Sequence, residues 1–424
     1  MANIKKLFVI NVLLFTTVVI SLMIACAGCS KREIAREPSP VNADEKFLVR
    51  VLLYTNKQSC SLQIDSSFTV IDSNSGTVLG DFEKTQEPVT LKISGGKFIL
   101  ADRPIESSRI IIEPNEPYIF TINSETYRGK LEIIMNEDNQ YFDVINHIQL
   151  ESYLAGVLAA EMPNYWEPAA LEAQTVAART YCLYIKDRFG KNRNWDIKRT
   201  QANQVYRGVQ VESSRVWDAV NKTSGQVLTC EDSNGEKEIF PAYYSSICGG
   251  YTENSQSVFG GEFFKPLAGV KCQYCKRIAK KKFFFWPELT LEKKVVTRKL
   301  LENYPQLEKL GQIDQIIPRK ESEYKDFTRI TSVKLIGSTK ETDTLRAEDL
   351  RLSIDPTGTV IKSAAFKIVD HNDTFTFAEG RGFGHGVGLC QTGAQAMARK
   401  DKSAEKILKY YYPDSININI YEKE

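Results

Sequence analysis

The sequence predicts an α+β protein: a β-rich N-terminal region, then a mixed α+β core that carries a charged, partly helical insertion. Three observations support this. Between Phe47 and about Asn146, short runs rich in β-branched and aromatic residues are separated by turn signals such as SNSG and SGG. Beyond Asn146 the apolar residues change to helical spacing, first in LESYLAGVLAAEMP (150–163) and then in EPAALEAQTVAARTYCLYIKDRF (167–189). Later strand and helix signals do not alternate steadily, which argues against a doubly wound α/β sheet.

Residues 1–29 read as a lipoprotein-type signal peptide. Lys5 and Lys6 precede an apolar run that ends in small residues around Cys26 and Cys29, and either cysteine fits the processing site. The run also nears the length that spans a bilayer, but its ending favours the signal peptide. Residues 30–46, polar and proline-containing, read as a tether. The mature protein is therefore expected outside the cytoplasm, in the cell envelope or periplasm, held on a membrane by a lipid anchor. The β-rich domain is expected over 47–146 and the mixed core over 147–424. In the core, SSRVWDAVNKTSG (213–225) predicts a third helix ending near Gly225, and QVLTC (226–230) and EIFPAYYSS (238–246) predict strands. The charged insertion is expected at about 287–345. LRLSI (350–354), AAFKIV (364–369) and TFTFAE (374–379) read as strands. CQTGAQAMARK (390–400) and SAEKILKYYY (403–412) read as helices.

Charge gives no reason to expect nucleic-acid binding, since 55 basic and 53 acidic side chains leave a net +2. Repeats and low-complexity tracts are absent from the sequence, and nothing in it calls for an organic cofactor. Seven cysteines follow the signal region: Cys60, Cys182, Cys230, Cys248, Cys272, Cys275 and Cys390. The number is odd, so complete pairing within one chain is impossible. Cys248 with the C-x-x-C pair Cys272 and Cys275 forms a zinc pattern, because two thiolates on one tight turn reach the same ion. His385, Cys182 or Cys390 could complete it; the alternative is a disulfide such as Cys248–Cys272.

The most informative residue is Glu161. Leu150, Tyr153, Leu154, Val157 and Leu158 follow the i, i+3, i+4, i+7, i+8 spacing of a helix burying one face, and the next position in that series is a carboxylate. Pro163 disfavours helical geometry at Met162, so the helix should end near Glu161. A helix C-terminus and apolar neighbours both favour a protonated carboxyl, which is a general acid at neutral pH. The plainer reading pairs Glu161 with Arg179. A second unusual stretch, EGRGFGHGVGLCQTGAQAMA (379–398), puts glycine at 380, 382, 384, 386 and 388. In a regular strand these share one face, which a polymer could approach closely, with Arg381, Phe383 and His385 on the other. The plainer reading there is a tightly packed strand with a core histidine.

INHIQLESYLAGVLAAEMPNYWEPAALEAQTVAARTYCL, CGGYTENSQSVFGG and GRGFGHGVGLCQTGAQAMA occur in the same order as the motifs of the stage II sporulation protein D family (SpoIID/LytB domain). The chain resembles that family from about Leu48 to Tyr412. The resemblance implies a peptidoglycan lytic transglycosylase whose catalytic glutamate is Glu161 of the E-M-P motif. Gln174, Arg179, Tyr181, Arg381, Gly382, Gly384, His385 and Gln391 would then bind substrate or support the cleft. It also implies structural zinc near CGG. Some members use a histidine there; here the residues just before are Tyr243 and Tyr244, with no histidine. Other members modify a cell-wall amidase instead of cutting glycan, which supplies the second reading: a glycan-binding activator. A zinc hydrolase is disfavoured, since no H-E-x-x-H is present.

Overall fold

The computed structural model describes residues 47–322, 324 and 328–421. The expected signal peptide, its cysteines and the tether lie outside the described residues. None of the described helices is long and apolar enough to cross a membrane.

The protein is α+β. Its N-terminal part is built from two antiparallel-rich sheets. Leu48–Lys57, Phe142–Gln149, Lys130–Met135, Arg109–Pro114, Phe68–Asp72 and Val78–Phe82 follow one another across the first. Alternation is clear where one face is covered: Val49, Val51 and Leu53 point inward from the first strand, and Ile110 and Ile112 from another. The second sheet centres on Ser59–Gln63 and Val89–Ser94. The sheets meet through Phe98 and Phe142, whose rings lie 5.9 Å apart. A short strand from the core, Ile197–Lys198, joins the first sheet in parallel at Val51 and Leu52. Asp196 beside it accepts from the Arg50 guanidinium at 2.6 Å.

Two helices form the centre of the core. The first, α1 (Leu150–Glu161), starts directly after the strand Phe142–Gln149. Its five predicted apolar positions are at most 1% exposed. The second, α2 (Pro168–Phe189), begins with proline in its first turn, where a missing N–H costs nothing. Ser214–Lys222 is the expected third helix, with the Ser213 hydroxyl accepting from Val216 N. The C-terminal strand Ile416–Asn419 pairs with Gln226–Thr229, and Tyr421 then meets Phe47 edge-on at 4.8 Å.

A second buried cluster runs from Trp286 to Phe377, through and beyond the charged segment. Trp286, Val296, Leu300, Ile313, Val333, Leu335, Leu350, Ile354, Phe375 and Phe377 belong to one buried cluster. Leu289–Glu292 pairs with Thr374–Ala378, which closes the unit at its base. Inside it Ile313–Glu321, Ile330–Gly337 and Thr342–Arg346 make an antiparallel sheet. The expected strand LRLSI is instead the end of a helix, Ala347–Ile354. Ala347, Leu350 and Ile354 fall at helical spacing and are buried, while Leu352 is 42% exposed. Glu348 and Asp349 in the first turn favour that helix through its dipole.

Candidate active site

Glu161 is the last residue of α1, as the Pro163 argument requires. Met162 is extended (φ −134°, ψ 146°), and its N–H still reaches Leu158 O. The helix is buried from Ser152 to Leu158 and opens to solvent at Ala159, Ala160 and Glu161. Glu161 therefore sits half-buried at the edge where the helix leaves the core. Burial pushes its pKa up to about 7, and the hydrogen bond from Val205 N to Oε1 at 2.7 Å opposes this. Desolvation is the larger effect, so near neutral pH a substantial fraction carries the proton.

The Val205 donor belongs to a loop that the sequence did not single out. Gln204, fully buried, accepts from Tyr153 Oη of α1 at 3.1 Å. Its Nε2 donates to Ala178 O of α2 and to Tyr244 Oη. One amide thus clamps both helices to a third element. Gly156 makes room for this loop: a Cβ there would overlap the Tyr206 ring, and Arg207 N donates to Gly156 O. A glycine in the middle of a helix is costly, and here it marks close approach. That glycine was the one available signal for the loop.

Around Glu161 stand tyrosines. Tyr153, Tyr181 and Tyr244 all feel its charge, and burial raises each hydroxyl above its ordinary pKa. Tyr181 packs on Tyr243 and Tyr244, with centroids at 5.6 and 6.5 Å. Tyr244–Ser245 pairs in parallel with Leu389–Cys390, which brings Gln391 next in line. Gln391 Nε2 donates to Gln174 Oε1 at 3.4 Å. Gln174 lies two turns before Tyr181 on α2, hence on the same face. It is fully buried, and its Nε2 has no hydrogen bond among the described residues.

Arg179 does not line this cleft and is not the partner of Glu161. It is fully buried and holds Glu151 with two hydrogen bonds, at 2.9 and 2.6 Å, and Gln226 O with a third. Tyr421 Oη reaches the same Glu151 at 2.9 Å. Arg179 therefore fastens α1 to α2 and to the C-terminal strand.

The glycine stretch also departs from expectation. Gly382, Gly384, Gly386 and Gly388 all have φ between +69° and +96°, so the segment is a looped thread instead of an open strand face. A Cβ on Gly382 would come within 2.5 Å of Ile247 O, and one on Gly384 within 3.0 Å of the Ser245 side chain. On Gly386 it would overlap the buried Arg329 guanidinium. These glycines let the thread pass close to neighbouring backbone and side chains, so they do not form the open strand face expected. Gly384→Val is expected to lower the melting temperature and lose glycan binding together. Retained cooperative melting with binding alone lost would restore the open-face reading. His385 is neutral: burial pushes its pKa down to about 4, and Nδ1 accepts from Val387 N. Its ring rests between Phe259 and Tyr243. Arg381 lies over the Phe285 ring.

Cys248, Cys272, Cys275 and Cys390 converge. All four are buried, and their Sγ atoms lie within 4.8 Å of one another. Cys248 and Cys275 are 3.7 Å apart at sulfur. Four thiolates on one zinc at ~2.3 Å would stand about 3.8 Å apart, so the set fits a tetrahedral ion. Cys390 would supply the fourth position. Cys182 is buried on α2, and neither it nor His385 belongs to the cluster. All seven cysteines of the described residues are thiols.

A family model described as stage II sporulation protein matches residues 138–230. An uncharacterised protein of Brachyspira hyodysenteriae is 30% identical over 307 residues, which cover 72% of this chain and 76% of that one. The stage II sporulation protein D of Bacillus subtilis is 29% identical over 282 residues, covering 63% of this chain and 74% of its own. The chain belongs to the SpoIID family. The matched segment holds α1, α2 and the Gln204–Val205 loop, so the SpoIID core is the part that mounts Glu161. Another relative, the amidase enhancer of B. subtilis, is 28% identical over 366 residues, or 76% of this chain but only 49% of its own length. SpoIID membership and this relative together fit a cell-wall-related function and an extracytoplasmic place of action.

Proposed function

We propose that the chain is a peptidoglycan lytic transglycosylase that cuts between N-acetylmuramic acid and N-acetylglucosamine. One observation carries this reading: a half-buried carboxyl at the end of a buried helix, whose proton is held to about pH 7. Hydrolytic glycosidases commonly use two carboxyls; among the described residues Glu161 is the carboxyl raised as far as about 7, and Glu253, raised less by burial, lies beside Gly386. The Glu161 proton passes to the bridging oxygen as the bond from the muramic C1 to that oxygen breaks. The muramic 6-hydroxyl oxygen then bonds to C1, and its proton returns to the Glu161 carboxylate. A 1,6-anhydro ring and a free N-acetylglucosamine hydroxyl result, with no water consumed. The nucleophile is already part of the substrate, which gives it a high effective concentration. In this reading Tyr181 and Gln391 stand beside the sugar, and the buried Gln174 holds the Gln391 amide from behind.

The acid form is the active one, so activity on denuded glycan strands should fall as pH rises through about 7, approaching tenfold per unit beyond it. A pH–rate profile flat from 6 to about 9 would remove Glu161 from the acid role. A second reading, a glycan-binding activator of a cell-wall amidase, draws on the relative named amidase enhancer. Mass spectrometry of digested strands decides. Anhydro-muramic ends support the transglycosylase, reducing ends a hydrolase, and no products the activator.

Zinc on Cys248, Cys272, Cys275 and Cys390 completes the proposal. With four protein thiolates it would be structural, tying the Tyr244–Ser245 and Leu389–Cys390 pair to the Cys272–Cys275 turn.

A further inference from the structure

Between Lys271 and Lys282 the chain carries six basic residues and no acidic one, although the whole molecule is nearly balanced at +2. Lys271, Lys276, Arg277, Lys280, Lys281 and Lys282 are all exposed. None of the six has a carboxylate within ion-pair distance among the described residues. A run of charge is most often only a solvated face, but this one encloses apolar rings. Phe283 and Phe285, in and just after the short helix Lys281–Phe284, are 36% and 39% exposed. Phe284 between them is buried, and its carbonyl accepts from Gly382 N. The segment is thus seated on the glycine thread, with the two outer rings turned out. More cations gather on those rings. Lys282 and Lys362 lie over Phe283 at 5.3 and 5.4 Å, and Arg381 lies over Phe285 at 5.9 Å. Lys362 Nζ also donates to Lys282 O at 3.0 Å, which fixes the two strips together.

We propose that this basic–aromatic patch docks the protein on an anionic lipid bilayer. A solvated face has no use for two exposed phenylalanines. A polysaccharide stacks on ring faces, but here cations already lie over them. The rings' free edges and the surrounding lysines suit the headgroup boundary, where phosphates meet the cations and apolar edges enter. Four thiolates around zinc would carry a net charge of about −2, so they could offset only a minority of these cations.

The test is co-sedimentation of the full chain with phosphatidylcholine vesicles, with and without phosphatidylglycerol. Wild type should prefer the anionic vesicles, and added salt should erase the preference. The triple variant K280Q/K281Q/K282Q should lose about 100-fold in partitioning to them, at roughly fivefold per lysine. Phe283→Ser with Phe285→Ser should weaken binding with the charges intact. Lys280, Lys281 and Lys282 are exposed, so the melting temperature of the triple variant should not change; the two rings are more than half covered, so the melt of the double variant is measured beside its binding. A lower melt in a variant passes the decision to the salt titration of wild type. Overturning results are wild type without preference for phosphatidylglycerol, or a folded triple variant that keeps it. If the triple variant loses purified wall sacculi instead of vesicles, the patch belongs to a wall polyanion and the membrane proposal falls. Glycan cleavage is measured separately, so this outcome does not touch the role of Glu161.

Discussion

Glu161→Gln is expected to lower release of anhydro-muramic products by about 1,000-fold, the usual scale for a positioned general acid and base. The amide keeps the shape and can still accept from Val205 N, so glycan binding should survive. Stability gives an independent signature. The Glu161 pKa is raised in the folded state, from 4.5 to about 7. A carboxyl so shifted contributes fully below its unfolded pKa, and that contribution is lost as pH rises through the folded value. Glutamine does not ionise. The melting temperature of Glu161→Gln relative to wild type should therefore rise between about pH 5 and about pH 8. Near wild-type product release from the purified variant would end the catalytic assignment. A flat difference in melting would show that the carboxyl is not desolvated.

Wild-type protein purified without added metal should contain close to one equivalent of zinc by elemental analysis. Cys390→Ser should remove most of it, because a three-thiolate site leaves one position open to water. The melting temperature should fall by about 10 °C, since a domain of about 150–250 residues moves about 2–4 °C per kcal/mol and losing a structural ion costs several. Cys182→Ser is the control: the residue is buried but outside the cluster, so zinc content should hold. Zinc far below one equivalent, with Cys248, Cys272 or Cys275 recovered in disulfides, contradicts the site.

The helix ends and the carboxyl were legible in the sequence because they depend on local rules. Apolar spacing fixes the buried face of α1, and Pro163 fixes its end. What was illegible depends on packing between distant segments. Gln204 reads as an ordinary polar loop residue, and only the fold shows Tyr153, Ala178 and Tyr244 around its amide. Arg179 was offered as the partner of Glu161 and, through the resemblance, as a cleft residue, but the helix turns it to Glu151. The glycine alternation suggested a strand face. Alternation alone does not specify φ, and positive φ at four of the five destroys that face. LRLSI illustrates a smaller ambiguity: leucines two apart fit a strand, yet Leu350 and Ile354 are also one helical turn apart, and the acidic start decided it. Cys390 was one of three offered ligands, and only the parallel bridge Ser245–Cys390 selects it.

The Glu151–Arg179–Tyr421 contact has a consequence for the order of folding. Glu151 starts the helix that ends in Glu161, and Tyr421 lies 270 residues further on. Ile416–Asn419 must lie against Gln226–Thr229 before Tyr421 can arrive. Contacts of such separation close late, since loop entropy is spent before they return anything. A chain arrested short of Ile416 would hold α1 and α2 with one polar partner missing and the edge of Gln226–Thr229 bare. The polar contacts at the N-terminal end of α1 are thus complete only once Ile416–Asn419 lies against Gln226–Thr229.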